Sequence, residues 1–254
     1  MSKKDLAIII QARTGSTRFP NKTIMPFFEE KSILEIIIEK LQHYFNDIDI
    51  ILATTTNVND ISIINIAEKK KIKYFRGDEN NVLKRFIESA ELFNKKNIIR
   101  ICSDNPFLDM GELKKLISIS LNSDYDYISF KTSDNKPTIK THFGLWAEFT
   151  TLHTLKRINS LTTSNIYLEH VTNYIYENPK LFSINLIPID DIFNDRKDIR
   201  LTIDTEEDFI ILKNLYKIMS SKHNIFNMSD LLSEIISCPN MLDIMKKQIL
   251  INTK

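Results

Sequence analysis

Between residues 6 and 130, short apolar runs alternate with helical stripes, and that alternation restricts what the chain can fold into. The runs are LAIII (6–10), DIIL leading into ATTT (49–56), IKYF (72–75), NIIRIC (97–102) and YDYISF (125–130). Between them lie SILEIIIEKLQHY (32–44), NDISIINIAEKKK (59–71), NNVLKRFIESAELF (80–93) and MGELKKLISISL (110–121). Apolar residues at 33, 34, 37, 38 and 41 form one helical stripe, and Val82, Leu83, Phe86, Ile87, Ala90 and Phe93 form another. LAIII has no polar alternate, as expected of a strand buried on both faces. Strand–helix alternation of this kind predicts an α/β fold with a mostly parallel sheet and helices on both faces. Asn59 or Asp60 is a candidate cap for the second helix, Gly77 a terminator of the third strand, and Pro106 a terminator of the fourth.

The second half reads differently. TIKTHFGLWAEFT (138–150) alternates, which predicts a strand with Phe143, Leu145, Ala147 and Phe149 inward and His142, Trp146 and Glu148 on a less buried face. Helices are expected at 151–159 and 165–177, strands at 182–189 and 199–203, and a helix at 205–219 with acids in its first turn. Residues 229–252 read as one or two closing helices. No repeat or linker divides the chain, so the expectation is a single domain, 1–254, with 138–179 as an inserted arm and 220–254 as a helical extension.

Lys plus Arg number 34 against 33 for Asp plus Glu, a net charge of +1, so no general field favours nucleic acid. Any anion must be met by a local cluster. Cys102 and Cys238 fit no zinc spacing and read as reduced thiols of a cytoplasmic protein. No apolar run approaches the ~20 residues of a membrane span.

The local cluster is IIIQARTGSTRFPNKTIMP (8–26), where one of only four glycines, Gly15, stands between Arg13 and Arg18 directly after the first strand. Such a turn can present backbone N–H groups to an anion. Ser16 and Thr17 add hydroxyls, Arg13 and Arg18 add forked donors, and Lys22 adds a point charge. The stretch matches neither the P-loop nor the dinucleotide fingerprint. By residue type alone, a surface loop with scattered charge fits as well.

Asp104 follows the strand NIIRIC, and Asp204 follows IRLTI. Ligands gather at the carboxyl ends of parallel strands, and two carboxylates with substrate phosphates suit Mg²⁺. Each aspartate could equally cap the segment after it. Arg100, inside an apolar strand, needs a phosphate or a carboxylate partner. Asp78, Asn81 and Arg85 could line a pocket or serve as caps. His142 and His170 could bind a ligand or simply pack. DYD (124–126) matches a three-letter metal motif of glycosyltransferases but reads as a turn.

Six stretches carry a family resemblance. QARTGSTRFPNK (11–22) resembles the opening motif of the CMP-sugar synthetase group, which includes CMP-Kdo and acylneuraminate cytidylyltransferases, and it is most similar to the spore-coat-polysaccharide branch. RGDENNVLKRF (76–86), RICSDNPFLD (100–109), HFGLWAEFTT (142–151), YLEHVTNYIYENP (167–179) and IRLTIDTEEDF (199–209) resemble later blocks of that branch, in order, over about residues 6–215. Asn21 departs from the pattern, since many relatives have glycine before the lysine.

The resemblance implies a three-layer α/β/α fold of the nucleotide-diphospho-sugar transferase type with a dimerisation arm. It implies a cytidylyltransferase joining CTP to a sugar or sugar-phosphate acceptor, with Mg²⁺ as cofactor and pyrophosphate as leaving group. Arg13, Lys22, Asp104 and Asp204 would be catalytic, with Asp104 and Asp204 on the metal. Ala12, Gly15, Ser16, Thr17, Arg18, Asp78, Arg85, Arg100 and Asn105 would hold the nucleotide, and His142, Glu169 and His170 the acceptor. It further implies a homodimer. The rival readings are a glycosyltransferase with Asp124 and Asp126 on the metal, and a nucleotide-binding regulator without turnover.

Overall fold

The structure, a computed structural model, describes residues 2–223 and 225–252. Its centre is a seven-stranded sheet, made of β1 (Leu6–Gln11), β4 (Asp49–Thr55), β5 (Lys73–Gly77), β6 (Asn97–Cys102), β7 (Tyr127–Lys131), β8 (Glu148–Thr151) and β9 (Ile184–Pro188). A small hairpin, β2 (Pro26–Phe28) and β3 (Lys31–Ser32), stands apart from it. The order across the large sheet is β5-β4-β1-β6-β8-β7-β9, and all of its pairs are parallel except those of β8. The helices are α1 (Ile33–Tyr44), α2 (Ile61–Lys69), α3 (Val82–Leu92), α4 (Met110–Leu121), α5 (Leu152–Leu161), α6 (Asn165–Glu169), α7 (Asn173–Glu177), α8 (Glu206–Lys222), α9 (Met228–Ser237) and α10 (Pro239–Ile251).

The double burial of β1 follows from its sequence. Leu6, Ile8 and Ile10 enter the core shared with α1, α4 and α8, while Ala7 and Ile9 enter the core shared with α3 and α5. Two helical layers therefore cover one sheet. From β1 the chain moves outward through β4 to β5, then crosses back to place β6 on the other side of β1. The β1/β6 boundary is the switch point, where the two outgoing chains diverge and leave a crevice at the strand ends. Gln11 pairs with Cys102 in that register, so the loops leaving both strands start side by side.

Several expectations are corrected. Within 138–150 only Glu148–Thr151 joins a ladder, and Gly144 breaks the extended run with φ +63. A Cβ there would lie 2.9 Å from Asn105 Oδ1 and 3.1 Å from the Leu201 carbonyl, so both backbone and space call for glycine. The supposedly open face is also covered, since Trp146 and Glu148 are as buried as Phe143. The four residues of β8 form a central strand, so this part of the expected arm lies inside the sheet. Residues 199–203 are buried and extended but join no ladder; Leu201 N donates to His142 O (2.8 Å) and Ile203 N to Asp104 O (3.2 Å). The expected helix 165–177 is two short helices, α6 and α7. Gly77 closes β5 from within. Of the expected 220–254 extension, residues 224, 253 and 254 lie outside the described residues. Among the described residues no helix is long and apolar enough to cross a membrane.

Candidate active site

The opening loop leaves β1 and is fastened at once. Ala12 is buried, and its N–H donates to Ala53 O (3.2 Å). Thr14 N and Oγ1 both donate to Asp60 Oδ1, at 2.8 and 2.6 Å. The other oxygen of Asp60 accepts from Thr54 Oγ1 (3.0 Å), Thr55 N (3.2 Å) and Thr55 Oγ1 (2.5 Å). Burial alone would raise the Asp60 pKa, but these donors from Thr14, Thr55 and Thr54 hold it below the usual aspartate value. Asp60 was expected only as a cap for α2, yet its side chain makes no cap bond there.

Thr14 O in turn accepts from Ser16 N and Asn21 N, each at 2.9 Å. The Ser16 amide is thus engaged within the turn and is not among the N–H groups such a turn could present to an anion. Gly15 and Thr17 stand at the exposed tip, and a Cβ on Gly15 would lie 3.3 Å from Glu79 Oε1. Asn21 takes φ 61, the left-handed conformation that asparagine tolerates better than most residues. The departure from glycine at this position therefore keeps a glycine-like backbone.

The turn delivers Lys22 into a cluster of carboxylates. Its ammonium lies 2.9 Å from Asp104 Oδ2 and 3.7 Å from Asp204 Oδ1, and it donates to Ile203 O. Lys22, expected as a point charge on the loop, is buried and pinned. Burial disfavours its charge, but Asp104 and Asp204 outweigh that and raise its pKa. Arg18 reaches Asp204 Oδ1 (2.9 Å) from the exposed side and Asn252 Oδ1 (2.7 Å) at the end of α10. Behind Asp204, the buried Arg200 holds Asp204 Oδ2 (2.9 Å), both oxygens of Asp208 (2.7 and 2.8 Å) and His142 Nδ1 (2.6 Å). A guanidinium only donates, so His142 Nδ1 is the acceptor and the ring proton sits on Nε2. Asp208 also completes a capping box with Thr205 at the start of α8, which fixes the segment carrying Asp204.

A cavity of about 610 Å³ opens beside this cluster, walled in part by Gln11, Arg18, Arg100, Asp104, Asn105, Trp146, His170, Thr202 and Asp204. Arg100 Nε donates to Gln11 Oε1 (3.1 Å), and Arg100 Nη1 pairs with the buried carboxylate of Glu148. Glu148 also accepts from Tyr127 Oη and from Thr172 Oγ1 (3.0 Å). Of the two partners open to Arg100, the structure supplies the carboxylate. Asn105 Oδ1, Trp146 Nε1 and Thr202 Oγ1 belong to residues of the cavity wall and are buried without a hydrogen-bond partner.

Not every expected residue meets here. His142 walls a neighbouring cavity of about 300 Å³, because Arg200 draws it to that side. Glu169 pairs with Arg13 (3.3 Å) and faces a hollow shared with Asp78, Asn80 and Asn81. Asp78 caps the turn before α3 by accepting from Asn80 N and Asn81 N, both 2.9 Å. Arg85 is buried below the loop, with Nη1 on Asp78 O (2.7 Å) and Nε unpartnered. Burial, then the nearby Arg13 charge, push its pKa down to about 10.

Asp104 and Asp204 offer two hard oxygen donors on one ammonium, and no group of three His, Cys, Asp or Glu side chains suited to a metal occurs among the described residues. That donor set fits an ion completed by phosphate oxygens and water, the habit of Mg²⁺, and does not fit a closed protein cage. Asp126 lies elsewhere. β7 runs parallel to β6, so the residue before Tyr127 sits at the edge opposite Cys102. There it accepts from Thr154 Oγ1 (2.9 Å), Ser183 N (2.8 Å) and Ser183 Oγ (3.3 Å), which makes it a tie between elements.

Sequence reasoning missed Asp60, Arg200 and Asp208. The rule that singled out Arg100, that an arginine in an apolar run needs an anionic partner, applies equally to Arg200. Asp60 carried no comparable signal.

Comparison with known proteins shows which family the chain belongs to. The chain is 35% identical over 209 residues to an uncharacterised protein of Methanocaldococcus jannaschii, MJ1063, covering 82% of each. It is 32% identical over 220 residues to the spore coat polysaccharide biosynthesis protein SpsF of Bacillus subtilis, covering 84% of this chain and 87% of that one. Among solved structures, a cytidylyltransferase from Leptospira borgpetersenii superimposes with a TM-score of 0.82 at 28% identity, covering 94% of this chain and 96% of that one. The cytidylyltransferase family profile matches residues 7–236, and the chain belongs to that family of nucleotidyltransferases.

Proposed function

We propose that the protein transfers the cytidylyl group of CTP to an oxygen of a sugar-like acceptor, activating it for assembly of a surface glycan. The observation that carries this reading is the convergence of Lys22, Asp104 and Asp204 at the β1/β6 switch point, with Arg13 and Arg18 on the loop above. In the transfer, an acceptor oxygen bonds to the α-phosphorus. The bond between that phosphorus and the bridging oxygen to the β-phosphorus breaks, and its electron pair leaves with pyrophosphate. A hydroxyl acceptor gives its proton to solvent, and an ionised acceptor has none to give. Such chemistry depends on alignment and charge neutralisation more than on covalent help.

Lys22, Arg13 and Arg18 meet the triphosphate and the charge that builds on the leaving group. Asp104 and Asp204 would hold Mg²⁺, which when bound withdraws charge from the phosphate oxygens. Arg200 keeps Asp204 turned toward the cluster.

The test is incubation with CTP, Mg²⁺ and a panel of ulosonic acids and phosphorylated sugars, reading pyrophosphate release and product mass. A CMP-sugar or CDP product supports the reading. Equal turnover with ATP or GTP, or no pyrophosphate with any acceptor, overturns it. Against the glycosyltransferase alternative stands Asp126, one of its two metal candidates, which ties elements together at the opposite edge.

We further propose that the protein works in the cytoplasm, where nucleoside triphosphates are available, and as a homodimer. The buried Phe143, Trp146 and Phe149 lend no support to pairing, which rests on exposed Leu161 and Ile166 in α5 and α6 and on Leu181 just after α7. A monomeric mass in light scattering at micromolar concentration would exclude it.

A further inference from the structure

We infer that Asp60 is a positioning residue that sets the opening loop, and through it Arg13 and Lys22, against the end of β4; this rests on the CTP reading above. The carboxylate is 1% exposed and divides its two oxygens between two elements. Oδ1 accepts from Thr14 in the loop, through N–H and hydroxyl. Oδ2 accepts from Thr54 and Thr55 at the end of β4, through two hydroxyls and one N–H.

Thr14 is the residue after Arg13, and its carbonyl takes the N–H of Asn21, the residue before Lys22. One fixed residue therefore sets where the loop begins and where it returns. The order runs from the strand to Asp60, to Thr14, to Asn21 and so to the ammonium between Asp104 and Asp204. Helix capping does not explain Asp60, because the side chain makes no bond to the α2 amides.

The geometry makes the carboxylate hard to replace. Each oxygen accepts from a backbone N–H, and those amides cannot turn round. In Asp60→Asn either orientation of the amide leaves one backbone N–H facing an NH₂ group. Threonine hydroxyls can rotate to adapt; the backbone cannot.

The experiment compares Asp60→Asn, Thr14→Val and Thr54→Val, reading kcat and both KM values together with backbone amide exchange of residues 13–19 in the nucleotide-free protein. Asp60→Asn should lower kcat/KM for CTP about 10²-fold, the cost of misplacing reacting groups by an ångström, while leaving KM for the acceptor unchanged. Thr14→Val and Thr54→Val each remove one hydroxyl from the same carboxylate. Thr14→Val should lower kcat/KM for CTP more, and should speed exchange across 13–19 more.

A merely structural role would reduce the folded fraction, scaling kcat and leaving both KM values alone. Equal kinetics and equal exchange in the two threonine variants would overturn the inference, and they decide it even if Asp60→Asn fails to fold. If the wild-type protein does not turn over CTP, the functional reading falls, and the exchange comparison still decides whether Asp60 orders the loop.

Discussion

Two sets of carboxylates occupy opposite edges of the same sheet, and their partners differ in kind. Asp126, before β7, is held by neutral donors from Thr154 and Ser183, tying β7 to α5 and to the approach to β9. Asp104 and Asp204, beyond the carboxyl ends of the strands, are held by the cations Lys22, Arg18 and Arg200. Neutral donors satisfy an acid without leaving charge for anything else. A cation shared by two acids that wall a cavity can also act on a phosphate there, because its charge reaches past any one hydrogen bond. An acid beside a strand is therefore not a site by itself. Which end of the strand it leaves, and whether a cation holds it, separate the two edges.

The comparison is most exposed to Lys22→Ala and Asp204→Asn. Either should cut turnover about 10²–10³-fold, the usual cost of removing one preorganised electrostatic partner, with the far-ultraviolet dichroism of the folded chain retained. Asp204→Asn should also weaken the dependence on Mg²⁺ concentration. Near-normal turnover in both variants would put the chemistry elsewhere. Asp126→Asn should give the converse result, losing about 1–3 kcal/mol of stability in urea melts while kcat per folded molecule is kept. If Asp126→Asn abolished turnover and Asp204→Asn did not, the two edges would exchange roles.

Arg200→Met sharpens the distinction between holding and reacting. Arg200 is almost fully buried with Asp208, and breaking a buried pair by removing one partner costs about 3–5 kcal/mol. The loss should appear first as a lower melting temperature. In the folded fraction the Mg²⁺ dependence should also weaken, since Asp204 loses the support behind it. An unchanged melting temperature would mean that Asp208 finds another donor.

How far these edges could be read in advance depended on the range of the interactions that make them. β6 and α4 fall on the residues expected, because an apolar run between turn signals and a helical stripe are local patterns. The alternation at 138–150 misled, since Trp146 and Glu148 are buried along with Phe143, Leu145, Ala147 and Phe149, and Gly144 turns the chain between them. The run 199–203 has a strand's composition, but it bonds singly to the backbone of His142 and Asp104, which form no ladder with it. Asp104 and Asp204 could be expected to meet because each directly follows an apolar run, though only the run before Asp104 proves to be a strand of the sheet, and Lys22 joins them through a turn that no local pattern specifies. Asp60 could not, because its defining partner Thr14 lies 46 residues away and its own neighbourhood looks like a helix start.

The smallest effect concerns a cation that lacks what Lys22 has. Lys40 lies over the rings of Tyr216 and Phe226, at 5.1 and 5.2 Å, with Pro106 O 3.5 Å away. Burial, opposed weakly by Asp109, lowers its pKa from 10.5 to about 8. Lys22, with two carboxylates against it, moves the other way. For Lys40 the folded state gives up its proton more readily than the unfolded one. Between pH 8 and 10.5 the unfolded state binds more protons, so this group makes stability rise with pH across that window, and below pH 8 its penalty is fully present. Lys40→Met should therefore be the more stable protein at pH 7, and its advantage over wild type should shrink as pH approaches 10. Urea midpoints of both proteins at pH 7, 8.5 and 10 measure that difference and cancel titrations common to the two. A constant difference would show that Lys40 keeps its charge throughout, and that a burial-lowered lysine is no counterpart to the carboxylate-held Lys22.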